Sequence, residues 1–221
     1  LEPADRATWI LEVGPVLIGA PLLVAAWRRA PPSRLLAWLL AGHALILILG
    51  GHYTYAMVPP GFWVQEALGL ARNHYDRLGH LAQGFVPAIL AREVLLRCSV
   101  LERGGWLFFL VVCVVLAFSA FYEMLEWWTA LAAGSAATAF LGTQGDPWDT
   151  QSDMLMALIG ATVALVTLSG LHDRQIGQLG AERRRHRDAV EHRVHGHVRQ
   201  QLLLLEWDPE LFERAPHFRI H

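Results

Sequence analysis

In the run Arg72-Asn73-His74-Tyr75-Asp76-Arg77-Leu78-Gly79-His80, Asp76 and His80 stand four apart and Gln83 follows at i+7, so a helix presents carboxylate, imidazole and amide along one stripe. Glu123 and Glu126 are three apart in another apolar helical run. Asp146, Asp149 and Asp153 fall at i, i+3 and i+7 around the start of a third. Oxygen and imidazole together suit a hard or borderline divalent cation, zinc, manganese, iron or magnesium, and no thiolate lies close enough in sequence to favour a soft metal. The candidate ligands are Asp76, His80, Glu123 or Glu126, and Asp149 or Asp153. A cation so held lowers the pKa of its bound water, and His52 or a spare carboxylate such as Glu126 then serves as general base for hydrolysis of an envelope or lipid ester. The competing reading is a polar cap in which Asp76 pairs with Arg72 or Arg77 and the later acids complement a helix N-terminus.

The elements that must position these residues are membrane spans. Of 221 residues, 54% are hydrophobic and 17% charged, with mean hydropathy +0.32; an ordinary soluble domain has about 45–50% and about 25%. Residues 172–221 carry 17 of the 38 charged side chains, which leaves 21 for the first 171 residues, too few to cover a soluble globule. Crossing a hydrocarbon layer of ~30 Å takes about 20 helical residues. Five runs of about that length are present, near Trp9–Trp27, Leu35–Val58, Tyr75–Leu96, Trp106–Ala130 and Asp149–Leu171. Pro59-Pro60-Gly61 reads as a turn, Phe62–Ala71 as a short interfacial helix, and Asp146-Pro147 as an N-cap followed by proline at the first helical position. The expected fold is all-α: a polytopic membrane helix bundle of about five transmembrane helices over 1–171, then a cytoplasmic polar helical tail over 172–221, helical from about Gln178 to Leu205.

Arginine placement orients the bundle. The 18 basic residues are all arginine. Arg28, Arg29, Arg34, Arg97 and Arg103 follow the first and third spans and nine more lie in the tail, whereas the other side has Arg6, Arg72 and Arg77. The N-terminus is therefore expected outside and the C-terminus in the cytoplasm. The first apolar run lacks the basic segment and cleavage site of a signal peptide, and with Leu1 as the first residue a further helix upstream stays open. On this orientation six of the twelve acids of residues 1–171, Asp76, Glu123, Glu126, Asp146, Asp149 and Asp153, gather at outer helix ends. An ionised side chain at mid-bilayer costs at least ~2.5 kcal/mol, so such a gathering needs pairing, water or a bound cation.

Other residues take plainer readings. His43 reads as a satisfied core histidine, Cys98 and Cys113 as packing residues, and Arg92 beside Glu93 as a snorkelling pair. Trp63, Trp127, Trp128, Trp148, Tyr53 and Tyr55 read as an interfacial belt. Gly142 and Gly145 permit a tight turn near the acids. In the tail, His192 and His195 share a helical face, but spacing alone supports ligation weakly. The expected partners are membrane lipids and, through the tail, a second copy of the chain. A net charge of −2 supplies no basic field for nucleic acid.

The stretches His52-Tyr53-Thr54-Tyr55-Ala56-Met57-Val58-Pro59, Arg72 to Ala88, Phe121-Tyr122-Glu123-Met124-Leu125-Glu126-Trp127-Trp128 and Gly142 to Met154 resemble the signatures of the YjdF-like family of bacterial inner-membrane proteins, a domain of unknown function, over roughly residues 5 to 172. More distantly the chain is similar to VanZ-like proteins, linked to glycopeptide resistance, through Asp76-Arg77 with His80, Glu123, and Asp149 with Asp153. The resemblance implies fold and inner-membrane location and no particular reaction. Three readings follow: a metal-dependent hydrolase acting on an envelope or lipid-linked substrate, a non-catalytic binding or structural membrane protein, and an ion- or proton-coupled transporter. The last is weakened because a relay needs polar groups through the full thickness.

Overall fold

The computed structural model describes residues 2–3, 6–27, 30–98, 100–133 and 146–206, with side chains excepted at 7, 8, 194, 196 and 199–206. Every regular element among them is helical: α1 (Arg6–Trp27), α2 (Arg34–Tyr53), a 3-10 turn (Tyr55–Met57), α3 (Pro59–Leu68), α4 (Tyr75–Arg97), α5 (Gly105–Ala133) and α6 (Asp149–Glu206). The chain forms two compact units, Leu1–Ile176 and Gly177–His221. In the second, the described side chains are almost all exposed along the helix, as their charge requires.

Among the described residues, four helices are long and apolar enough to cross a membrane: Trp9–Trp27, Arg34–Tyr53, Gly105–Ala132 and a window within Asp149–Arg193. The fifth expected span, α4, has the length and not the apolarity. Its 23 residues reach about 34 Å at 1.5 Å each, yet they carry Asp76, Arg77, His80, Arg92, Glu93 and Arg97. That composition is tolerated because α4 is the inner helix, with Ala88 and Ile89 packed in one core with Leu36 of α2, Val111 and Val115 of α5, and Ala157, Ala161 and Ala164 of α6. Helices in lipid associate by close packing of small residues. The α4–α6 crossing shows it: a methyl group on Gly84 would strike the carbonyl of Ala157, and one on Gly160 the carbonyl of Leu81.

Several boundaries differ from expectation. The second helix ends at Tyr53, not Val58, because Thr54 adopts a left-handed conformation (φ 54°) and turns the chain into the 3-10 segment. Pro59-Pro60 is not a turn but the first turn of α3, where proline's missing N–H has no partner to lose. That helix stops at Leu68, with Gly69 as its left-handed cap. Asp146 accepts from the Trp148 amide at 2.9 Å, so α6 starts two residues beyond Pro147. No separate tail helix begins near Gln178. Without a proline between Leu171 and Leu205, α6 continues unbroken to Glu206. Cys98 and Cys113 are exposed rather than packed. Trp63, Trp127, Trp128 and Trp148 are exposed, whereas Tyr55 is buried and leaves the expected belt.

Candidate functional site

The turn between α2 and α3 sets the position of α4. The Tyr55 ring lies where side chains on Gly50 of α2 and Gly79 of α4 would stand, so both glycines are required by a close approach. Asn73 sits against Gly61, donates to the Val58 carbonyl at 3.0 Å and accepts from the Tyr75 amide at 3.0 Å, which opens α4. The Tyr75 hydroxyl donates to the Ile46 carbonyl at 3.1 Å. His80 follows Gly79 directly, so these contacts fix the stretch of α4 that carries it.

Around that ring three helices converge. Asp76 Oδ1 is 3.7 Å and Asp153 Oδ2 4.0 Å from His80 Nε2, while Glu123 Oε1 is 3.9 Å from Nδ1. Ligand atoms of Asp76, His80 and Asp153 lie within 4.8 Å of one another, as do those of His80, Glu123 and Glu126. His80, Glu123 and Asp153 are only 5%, 8% and 2% exposed. Yet His80 Nδ1, Glu123 Oε1 and Asp153 Oδ1 are buried without a hydrogen-bond partner. The separations exceed hydrogen-bond length. They are longer than the about 3–3.5 Å between two ligand atoms that each stand ~2.1 Å from a shared ion, so ligation would draw the side chains inward.

The remaining candidates divide. Arg72 donates to Asp149 at 2.7 Å and to Asp146 at 3.2 Å, and Arg77 donates to Asp146 at 2.9 Å. This part of the polar end is thus the ion-paired cap, and Asp149 belongs to it while Asp153 turns toward His80. Burial and the neighbouring Arg77 and Arg72 guanidiniums hold the His74 imidazole below its usual pKa range. His52 lies edge-on to the Tyr53 ring at 4.6 Å between centroids and does not line the cavity described next. Gly142, Gln144 and Gly145 lie outside the described residues.

Beside the cluster is a cavity of about 770 Å³ bounded by α1, α2, α4 and α5, with Asp76, His80, Glu126 and Glu12 in its wall. Glu12 was not among the candidates. It is buried on α1 and accepts from the Tyr122 hydroxyl at 3.2 Å. Its signal was available, since an acid within an apolar span is costly enough to mark a functional position. His43 is not a satisfied core histidine: it faces the cavity and its Nε2 has no partner.

The family model described as "Predicted membrane protein (DUF2238)" matches residues 1–174. The chain belongs to this family. Within it, the chain is similar to the inner membrane protein YjdF of Escherichia coli (strain K12), 54% identical over 176 residues, which are 80% of this chain and 84% of that protein. No solved structure matches. The DUF2238 match takes in every residue of the His80 cluster, Glu12, and a second polar cluster at the other end of α4.

That second cluster corrects the expectation that Arg92 and Glu93 snorkel, because both are buried. Glu93 accepts from the Ser33 amide at 3.0 Å, from Arg97 at 2.7 Å and from His172 Nε2 at 2.9 Å. Arg92 reaches His172 Nδ1 at 3.0 Å and donates to Asp173 at 2.8 Å. Arginine only donates, so Nδ1 accepts and the His172 proton is assigned to Nε2, aimed at Glu93. The Leu35 amide donates to Gln175 at 2.8 Å, so α4 and α6 together satisfy the free amides at the start of α2.

Proposed function

We propose that this protein of the bacterial inner membrane, where its Escherichia coli relative is named as residing, holds a divalent cation at His80 Nε2 with Asp76 and Asp153, and hydrolyses an envelope or lipid-linked ester there. The observation that carries the reading is the group Asp76, His80 and Asp153, whose ligand atoms lie within 4.8 Å of one another, with Asp153 Oδ1 buried and unpartnered. An orphaned buried group costs ~1–3 kcal/mol, and a cation held by Asp153 recovers that cost. With the cation on Nε2, the opposite Nδ1–H points toward Glu123, the arrangement by which a carboxylate orients a metal-bound histidine. Glu126 borders both the cluster and the cavity, which suits it to take a proton from a cation-bound water. The oxygen-rich donor set favours manganese, magnesium, iron or zinc over copper. His52 has no part in this reading, and Asp149 serves the cap.

A second reading, a purely structural polar cap, is favoured only by the Arg72, Arg77, Asp146 and Asp149 pairs. The arginine distribution supports an outward-facing site, and a reporter fused after Arg103 is expected to read cytoplasmic. The decisive test is elemental analysis of protein purified without chelator or metal-affinity resin. We expect one divalent ion per chain, lost in Asp76→Asn and in His80→Ala. No ion, with unchanged thermal stability in both variants, refutes the metal centre.

A further inference from the structure

The cavity differs along its length. Glu12, Asp76, Glu126 and the Tyr122 hydroxyl line one part of it, His43, His80 and Gln83 also reach it, and most of the remaining wall is apolar, with Leu17 and Ile18 of α1, Leu90 of α4 and Phe118 of α5. No arginine lines it. Its volume of about 770 Å³ is that of a ligand site, about 300–1,000 Å³. Two walls remain open to the bilayer: Leu17, Ile18 and Phe118 are 49%, 67% and 63% exposed. α1 packs along α2, and it meets α5 through the Tyr122 hydroxyl, which contacts Glu12 and the Leu11 carbonyl at 3.2 and 3.4 Å. The cavity is therefore a trough that α1, α2, α4 and α5 bound, mostly apolar in its lining and acidic where Glu12, Asp76 and Glu126 meet it.

We infer that this trough takes a membrane phospholipid bearing an ammonium headgroup, entering sideways from the bilayer, with the chain along Leu17, Ile18 and Phe118 and the ammonium at Glu12 and Glu126. Charge complementarity selects the headgroup. Three acids, Glu12, Asp76 and Glu126, line this part of the trough and no arginine does, so a cationic group is favoured over an anionic one. Burial of the chain supplies affinity through packing, and the acids supply selectivity. The inference rests on the preceding reading only in placing the reacting ester beside the cation; binding itself needs no metal.

Gly14 separates the two claims, because it lines the trough and a side chain there meets open space. The experiment measures lipid retained by the full chain in nanodiscs of dioleoyl phosphatidylethanolamine mixed equally with dioleoyl phosphatidylglycerol, by mass spectrometry after delipidating detergent exchange. The wild type is expected to retain about one ethanolamine lipid per chain, enriched about tenfold over the glycerol lipid, a ratio equivalent to one decade of affinity. Gly14→Phe is expected to lose retention about tenfold with its metal content unchanged. Gly14→Leu, a smaller plug, covers a failure of the larger one to fold. Glu12→Gln is expected to abolish the enrichment while the chain still binds. His80→Ala should lose metal and keep lipid. Equal retention of both lipids, no retained lipid, or full retention by a folded Gly14 variant overturns the inference, whatever the metal analysis shows.

Discussion

The two ends of α4 carry the same kinds of side chain and treat them in opposite ways. At its C-terminal end Arg92, Glu93, Arg97, His172 and Asp173 form a closed network in which the imidazole uses both nitrogens and Glu93 takes amide, guanidinium and imidazole donors. At its N-terminal end His80 faces acids at 3.7–4.0 Å, and three atoms lack partners. Basic groups make the difference. Each acid of the C-terminal cluster meets an arginine or histidine partner, whereas at the N-terminal end the ion pairs of Arg72 and Arg77 are made with Asp146 and Asp149. A buried network with every member satisfied is a structural fastening; one left open is a place for something else.

The contrast is testable, starting with the fastening. His172→Ala removes a partner from both Glu93 and Arg92 in a buried setting, so stability in detergent is expected to fall by about 3–5 kcal/mol, read from thermal unfolding. A loss below about 1 kcal/mol would mean the closed end is not the fastening described. Next, Gly160→Ala places a methyl against the Leu81 carbonyl and pushes α6 from α4; a loss of about 1–3 kcal/mol is expected, together with weaker metal retention because Asp153 moves from His80. Retained metal at wild-type affinity would uncouple the crossing from the site. Tyr122→Phe deletes one hydrogen bond to Glu12 and is expected to cost about 1 kcal/mol. The smallest change is at the open cluster: with chelator present, Asp153→Asn is expected to lie within about 1 kcal/mol of the wild type or above it, since it removes a strained acid. Added divalent ion should then stabilise only the wild type, because a ligand stabilises the state it binds. A large loss for Asp153→Asn in chelator would make the two ends alike.

The spans and the stripe Asp76–His80 were legible because both depend on local periodicity, as was the pair Glu123 and Glu126. Which later acid turns to His80 was not. Asp149 and Asp153 are one helical turn apart, and only the position of Arg72 assigns the first to the cap. The closed cluster escaped for another reason: its bonds join residues 60 to 81 positions apart, beyond any spacing rule. Glu12 has no acidic or histidine neighbour at helical spacing within α1, and its partner Tyr122 stands on α5. The end of α2 depended on one left-handed threonine, a conformation that residue type does not announce.

That threonine has a practical consequence. Thr54 turns the chain so that Tyr55 fills the space left by Gly50 and Gly79, and Asn73 then rests on Gly61. Transplanting the five acids and the histidine onto another helical scaffold would therefore not carry the site with it. The smallest portable unit includes the bend from Gly50 to Gly61, a cradle with none of the proposed ligands that decides where the first turn of α4, and with it Asp76 and His80, stands.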